Sequence, residues 1–217
     1  MLTLVIADKN LSSWSLRPWV LLRHLGLPFS EIRLPLDTPQ FRAEIGRWSP
    51  TGRVPVLLDG DLRIWDSIAI CEYVNELAGG AGWPSDPGLR AIARSISAEM
   101  HSGFAALRGS WSMQAASRGL QVPLTLQGQA DVERIDALWS DCRTRHGKRG
   151  PWLFGERYTI TDAMYAPVVL RFMTYGPTLS EPAGRYVEHA LADPHLQEWI
   201  RGAQREVADE GRPLEHP

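Results

Sequence analysis

Asn10-Leu11-Ser12-Ser13-Trp14-Ser15-Leu16-Arg17-Pro18-Trp19 is the stretch whose reading decides the fold. Before it, Leu4 to Ala7 is a short apolar run that reads as a buried strand. After it, Trp19, Val20, Leu22 and Leu25 recur at helical spacing, and Gly26 stands where a helix stops. The stretch is therefore a strand-to-helix turn rich in hydroxyls. Such a turn offers unpaired backbone N–H groups and the positive end of a helix dipole, which favour a phosphate, a carboxylate or a thiolate. Pro18 sorts the serines. With Ser15 as N-cap, Pro18 falls in the first turn, where its missing N–H matters little. With Ser12 as N-cap, Pro18 falls inside the helix and breaks a hydrogen bond, at ~3 kcal/mol. On this reasoning Ser15 caps the helix, Ser12 keeps its hydroxyl for a ligand, and Ser13 serves either role.

Working outward, residues 1–79 alternate strand and helix signals in the order β-α-β-α-β-β-α, an α/β layer fold. Strands are expected at Leu4–Ala7, Ser30–Leu34, Val54–Asp59 and Leu62–Ile64, the last two joined by a tight turn at Asp59-Gly60. Helices are expected at Trp14–Leu25, Phe41–Arg47 and Ser67–Leu77. The stretch Gly79-Gly80-Ala81-Gly82-Trp83-Pro84-Ser85-Asp86-Pro87 has no periodicity and marks a linker, taken as residues 80–88. Residues 89–217 read as all-helical: one long pattern from Leu89 to about Leu120, a second from Pro123 to about His146, and an apolar helix over Thr161–Tyr175. Two closing helices follow at Pro182–Leu191 and Pro194–Val207, then a loose polar tail from Asp209.

The bulk properties exclude several classes. At 217 residues with 44% apolar composition the chain can bury a full core. A net charge of −2 without a basic patch argues against nucleic acid and against an anionic membrane surface. No apolar run spans a bilayer and no secretory leader is visible, so the expected location is cytoplasmic. Cys71 and Cys142 stand apart, two reduced thiols. The six histidines are scattered without metal-ligand spacing, so no metal is expected, and His189 and His195 read as surface groups.

Three further motifs carry structure or chemistry. In Ser49-Pro50-Thr51-Gly52-Arg53-Val54-Pro55-Val56-Leu57, Pro55 opens an apparent strand although it cannot donate to a ladder. Either it is a trans proline at an edge, or a cis Val54–Pro55 bond turns the Val54 N–H and C=O outward to pair with an extended peptide. In Trp65-Asp66-Ser67, Asp66 and Ser67 stand at a helix N-terminus. They serve as a cap, and also suit an amino acid head group, with Ser67 for a carboxylate and Asp66 for an ammonium. Thr159-Ile160-Thr161-Asp162 matches a capping box ahead of a buried helix.

These motifs, in this order across nearly the whole chain, resemble the cytosolic glutathione S-transferase family. Ser12-Ser13-Trp14-Ser15-Leu16-Arg17 is similar to the Ser-Ser-Cys-Ser-x-Arg stretch of the zeta class, the maleylacetoacetate isomerases, and to the serine-type tau class. The resemblance implies a thioredoxin-like N-terminal domain, an all-α C-terminal domain, glutathione as co-substrate, and a cytoplasmic homodimer active in detoxification. It places the thiolate-stabilising serine on Ser12, the cis proline on Pro55, the cysteinyl-pairing backbone on Val54, the γ-glutamyl contacts on Asp66 and Ser67, and the glycyl contact on Arg53. Trp14 stands where the zeta class carries cysteine, and Asp66 where glutamate is usual. The implied reaction is attack of the glutathione thiolate on a small hydrophobic electrophile, with isomerisation, dehalogenation or non-catalytic binding as alternatives. For the electrophile pocket the candidates are Trp14, His101, Phe104, Arg108 and Trp111. Arg171 joins them by analogy with a zeta-like arginine that meets a substrate carboxylate.

Overall fold

The computed structural model describes residues 1–210, without the side chain of Glu210. Four strands form one mixed sheet: β1 (Leu2–Ile6), β2 (Phe29–Arg33), β3 (Val56–Asp59) and β4 (Leu62–Trp65), in the order β2-β1-β3-β4. β1 pairs parallel with β2 and antiparallel with β3, which pairs antiparallel with β4. Asp59 lies opposite Leu62, and Gly60 turns the hairpin at φ +57°. Helices α1 (Ser13–His24), α2 (Pro39–Trp48) and α3 (Ser67–Leu77) interleave with the strands. Leu27 N–H bonds Leu22 O and Gly26 N–H bonds Arg23 O, closing α1 with Gly26 at φ +66°.

The remaining helices are α4 (Pro87–Ser102), α5 (Ala105–Ser110), α6 (Leu126–Arg145), α7 (Ile160–Tyr175), α8 (Glu181–Ala192) and α9 (Pro194–Glu210). Asp209 is thus helical, and the rest of the expected loose tail, 211–217, lies outside the described residues. The central member is α7, buried on every side from Ile160 to Phe172, as a helix without a polar face must be. Its capping box is present: Asp162 Oδ2 accepts from Thr159 N at 2.9 Å and from Thr159 Oγ1 at 2.8 Å. A continuous core runs from the sheet through α1 to α7, with Trp19, Trp139 and Trp199 fully buried.

The expected helix from Leu89 to Leu120 is broken. Gly103 ends α4 in an extended conformation, where an added Cβ would stand 2.7 Å from Glu99 O. Phe104 follows at φ +59°. Asp131 of α6 then accepts from Leu107 N at 3.0 Å, restarting the chain as the short α5. The second helix starts later than Pro123, at Leu126, because Thr125 caps it through Gly128 N. The intervening 111–125 is irregular yet largely satisfied. Asn10 accepts from Ala115 N and Ala116 N, while Thr174 Oγ1 donates to Gln114 O and Ser117 O.

Candidate functional site

At the start of α1 the structure reverses the expected roles of two serines. Ser12, not Ser15, is the N-cap: its Oγ accepts from Ser15 N at 3.4 Å, and its hydroxyl donates to Ser15 Oγ at 2.7 Å. The cause lies outside the local sequence. Ser15 Oγ is occupied by Ala7 N–H at the end of β1, 3.2 Å away, so it cannot cap its own helix. Pro18 consequently lies inside α1 and leaves the Trp14 carbonyl without its helical donor. Ser13 is 9% exposed, and its hydroxyl has no partner among the described residues. The Trp14 amide has no backbone acceptor among them either, so the turn retains an open donor at its positive end.

The Val54–Pro55 bond is cis. The preceding turn is held by Ser49, whose Oγ accepts from Arg53 N at 3.1 Å and lies 3.1 Å from Thr51 Oγ1. The sheet ladder begins only at Val56, and neither the N–H nor the C=O of Val54 has a partner among the described residues. These groups border a cleft of about 540 Å³ lined by Trp14, Thr51, Arg53, Val54, Pro55, Trp65, Asp66 and Ser67. The cleft thus touches the first three motifs of the sequence, the first through Trp14 alone: Ser12 is buried and is not among the lining residues. Thr51 and Trp65 were not singled out by sequence, although both sit inside those motifs. Trp65 is 48% exposed at the end of β4 and lines the cleft.

Asp66 caps α3 at φ +73°, with Oδ1 accepting from Ile68 N at 2.9 Å. Its Oδ2 lies 3.2 Å from His101 Nε2, so the carboxylate also ties α3 to α4. Ser67 is buried at the first turn of α3, and Arg17 Nη1 donates to its Oγ at 3.3 Å. Trp14 is the hub of the neighbourhood. The Arg17 guanidinium lies 4.2 Å and that of Arg108 4.6 Å from its ring, and His101 meets it edge-on at 5.3 Å. Burial, then repulsion from Arg108 and Arg171, lowers the Arg17 pKa to about 9.

Of the residues expected to face an electrophile, Trp14 lines the cleft, and His101 and Arg108 pack against it. Phe104, Trp111 and Arg171 do not line it. Phe104 is buried in the core at the α4–α5 break. Trp111 stacks on Tyr175 and donates to Val122 O at 2.8 Å. Arg171 is buried, donating to Trp111 O at 2.7 Å and Pro167 O at 3.3 Å, so it props the 111–125 segment. His189 and His195 are not plain surface groups. His195 meets His24 edge-on, His189 meets Trp152 edge-on, and His24 stacks on Tyr158 at 3.6 Å beside Asp193. Among the described residues no group of three or more His, Cys, Asp or Glu could hold a metal, and no helix is long and apolar enough to cross a membrane.

Comparison with known proteins agrees with this geometry. Residues 11–77 match the family model of the glutathione S-transferase N-terminal domain, and residues 114–202 that of the C-terminal domain. The rat maleylacetoacetate isomerase is 28% identical over 186 residues, 84% of each chain. A dichloromethane dehalogenase of Methylorubrum extorquens is 38% identical, but over only 60 residues, 27% of this chain and 21% of that enzyme. Among solved structures, a Burkholderia glutathione transferase homologue with bound glutathione superposes with TM-score 0.71 at 25% identity, covering 94% of this chain and 98% of its own. A diazinon-metabolizing glutathione S-transferase of the silkworm Bombyx mori reaches TM-score 0.74 at 19% identity, over 95% and 99%.

Proposed function

Because the chain belongs to the glutathione S-transferase family, we propose that it binds glutathione in the cleft and catalyses attack of its thiolate on a small electrophile. The observation that carries the reading is the unpaired Val54 N–H and C=O on a cleft that Arg53, Ser67 and Trp14 of the α1 turn also line. Val54 pairs with the cysteinyl backbone like an added strand. Ser67 and the α3 N-terminus take the γ-glutamyl carboxylate, Asp66 its ammonium, and Arg53 the glycyl carboxylate. Residues 1–79 form the glutathione-binding domain, 80–88 the linker and 89–217 the domain that holds the electrophile. The active form is a cytoplasmic homodimer, which light scattering checks.

The sulfur lies at the N-terminus of α1. A free thiol of pKa ~8.5 is mostly protonated at neutral pH, and a two-unit drop needs ~2.7 kcal/mol of preference for the anion. One hydroxyl donor and one helix terminus supply that together. Ser12 is the donor, its hydroxyl turning from Ser15 to the sulfur. The free hydroxyl of Ser13 favours a second assignment, with Ser13 as donor and Ser12 as cap. The thiolate forms a carbon–sulfur bond, the leaving group departs, and no bond to the protein forms.

The likeness to the rat isomerase favours isomerisation as the competing reaction, although Trp14 replaces the zeta cysteine. Retention on immobilised glutathione followed by product analysis tests the reading. Conjugates signify a transferase, rearranged product an isomerase, and halide release a dehalogenase. Retention without turnover on any substrate signifies a binding protein and refutes the catalytic reading.

A further inference from the structure

A buried hydroxyl fixes the polarity of an exposed one at the cleft. Ser49-Pro50-Thr51-Gly52 follows α2 as a β-turn with proline in its second place. Gly52 N–H reaches Ser49 O at 3.4 Å, and Gly52 takes φ +68°, where its lack of a Cβ is needed. The turn leaves Ser49 3% exposed, whereas Thr51 is exposed and lines the cleft. Ser49 Oγ accepts from Arg53 N at 3.1 Å and lies 3.1 Å from Thr51 Oγ1, and these are its partners among the described residues. One hydroxyl of the pair donates to the other. Were Thr51 the donor, the buried hydrogen of Ser49 would have no acceptor, a costly arrangement. With Ser49 as donor every buried group is satisfied. The hydrogen left over then belongs to Thr51, on the exposed side. The run from the Arg53 amide through Ser49 to Thr51 ends in a donor, polarised by the two bonds behind it.

Resting on the proposed glutathione reading, we infer that Thr51 is a further binding residue of the cleft, its hydroxyl donating to the glycyl carboxylate that Arg53 meets. Thr51 and Arg53 both line the cleft, two positions apart on one turn. Arg53 forms no ion pair among the described residues, so its charge is open to an anion. The same Ser49 Oγ holds the Arg53 amide and orders the Thr51 hydroxyl, so one buried anchor sets both groups. Their parts differ. The guanidinium supplies charge on a long, flexible stem. Threonine is β-branched and stiff at χ1, so its short hydroxyl supplies direction.

Calorimetric titration tests this with two ligands: glutathione, and γ-glutamylcysteine methylamide, which keeps both peptide units and lacks the glycyl carboxylate. Thr51→Val keeps the shape of the side chain and removes the hydroxyl. It should weaken glutathione about tenfold and leave the methylamide within about twofold, while Thr51→Ser should hold glutathione within about threefold of the unsubstituted protein. Unchanged affinity of Thr51→Val for glutathione overturns the inference and leaves the glutathione reading standing. So does an equal loss for both ligands, which assigns the effect to the backbone of the turn, and so does a Thr51→Ser variant as weak as Thr51→Val. Failure of the unsubstituted protein to bind glutathione refutes the glutathione reading itself. A thermal melt of each variant confirms that it is folded.

Discussion

Replacing Ser12 by alanine separates the observed cap from the proposed thiolate donor. As a cap, Ser12 accepts from Ser15 N across a long 3.4 Å and donates to Ser15 Oγ at 2.7 Å. Losing a cap of that geometry costs about 0.5–1 kcal/mol, and Ser15 still receives the Ala7 amide. As a thiolate donor its loss weighs more. A hydrogen bond to a charged group contributes about 1.5–3 kcal/mol and a helix terminus about 0.3–1 kcal/mol. Removing the hydroxyl therefore raises the pKa of bound glutathione by roughly 1–2 units at 1.36 kcal/mol each. From a starting value near ~6.5, the thiolate present at pH 7 falls roughly threefold to thirtyfold, and the rate falls with it. The assay is ultraviolet absorbance of the thiolate in the binary complex, titrated beside a thermal melt. Ser13→Ala is the control: it removes no hydrogen bond among the described residues and should shift stability by less than about 0.5 kcal/mol. If Ser13→Ala moves the sulfur pKa and Ser12→Ala does not, the donor is Ser13. If neither moves it by more than ~0.3 units, hydroxyl stabilisation of the sulfur is refuted.

Arg53→Ala should raise the Kd for glutathione about tenfold, and by less at high salt because the side chain is exposed; an unchanged Kd by calorimetry removes Arg53 from the site. Asp162→Ala strands the Leu153 amide and the Thr159 amide and hydroxyl, at ~3 kcal/mol or more, and should lower Tm by roughly 6–12 °C in calorimetry. Burial, then the charge of His24, depresses the His195 pKa below 6.5. The unfolded chain therefore binds the extra proton first, so this contribution is fully present above pH 6.5 and is lost as pH falls through the folded value. His195→Asn should flatten the decline in Tm measured between pH 7 and 5; an unaltered slope places the decline on other groups.

What was legible in the sequence divides by distance along the chain. The bounds of α3 and the box at Thr159 and Asp162 were readable because donor and acceptor lie within one turn of each other. The break after α4 was hidden because Met100, Phe104, Leu107 and Trp111 keep helical spacing across it. The residue that restarts the chain, Asp131, is 24 positions away. The serine assignment failed for the same reason. The proline argument compared Ser12 with Ser15 as if only α1 competed for them, yet the decisive donor is the Ala7 amide of the preceding strand.

Asp66 shows the rule applied within the cleft. Sequence identified its capping, since that is local. Its bridge to His101 joins α3 to α4 across 35 residues, and no local pattern announces it. The consequence is chemical. One oxygen accepts from the α3 cap amide and the other faces His101, so the carboxylate is shared between two helices. Asp66 thereby joins the N-terminus of α3 to α4, the helix that runs to the Gly103 break.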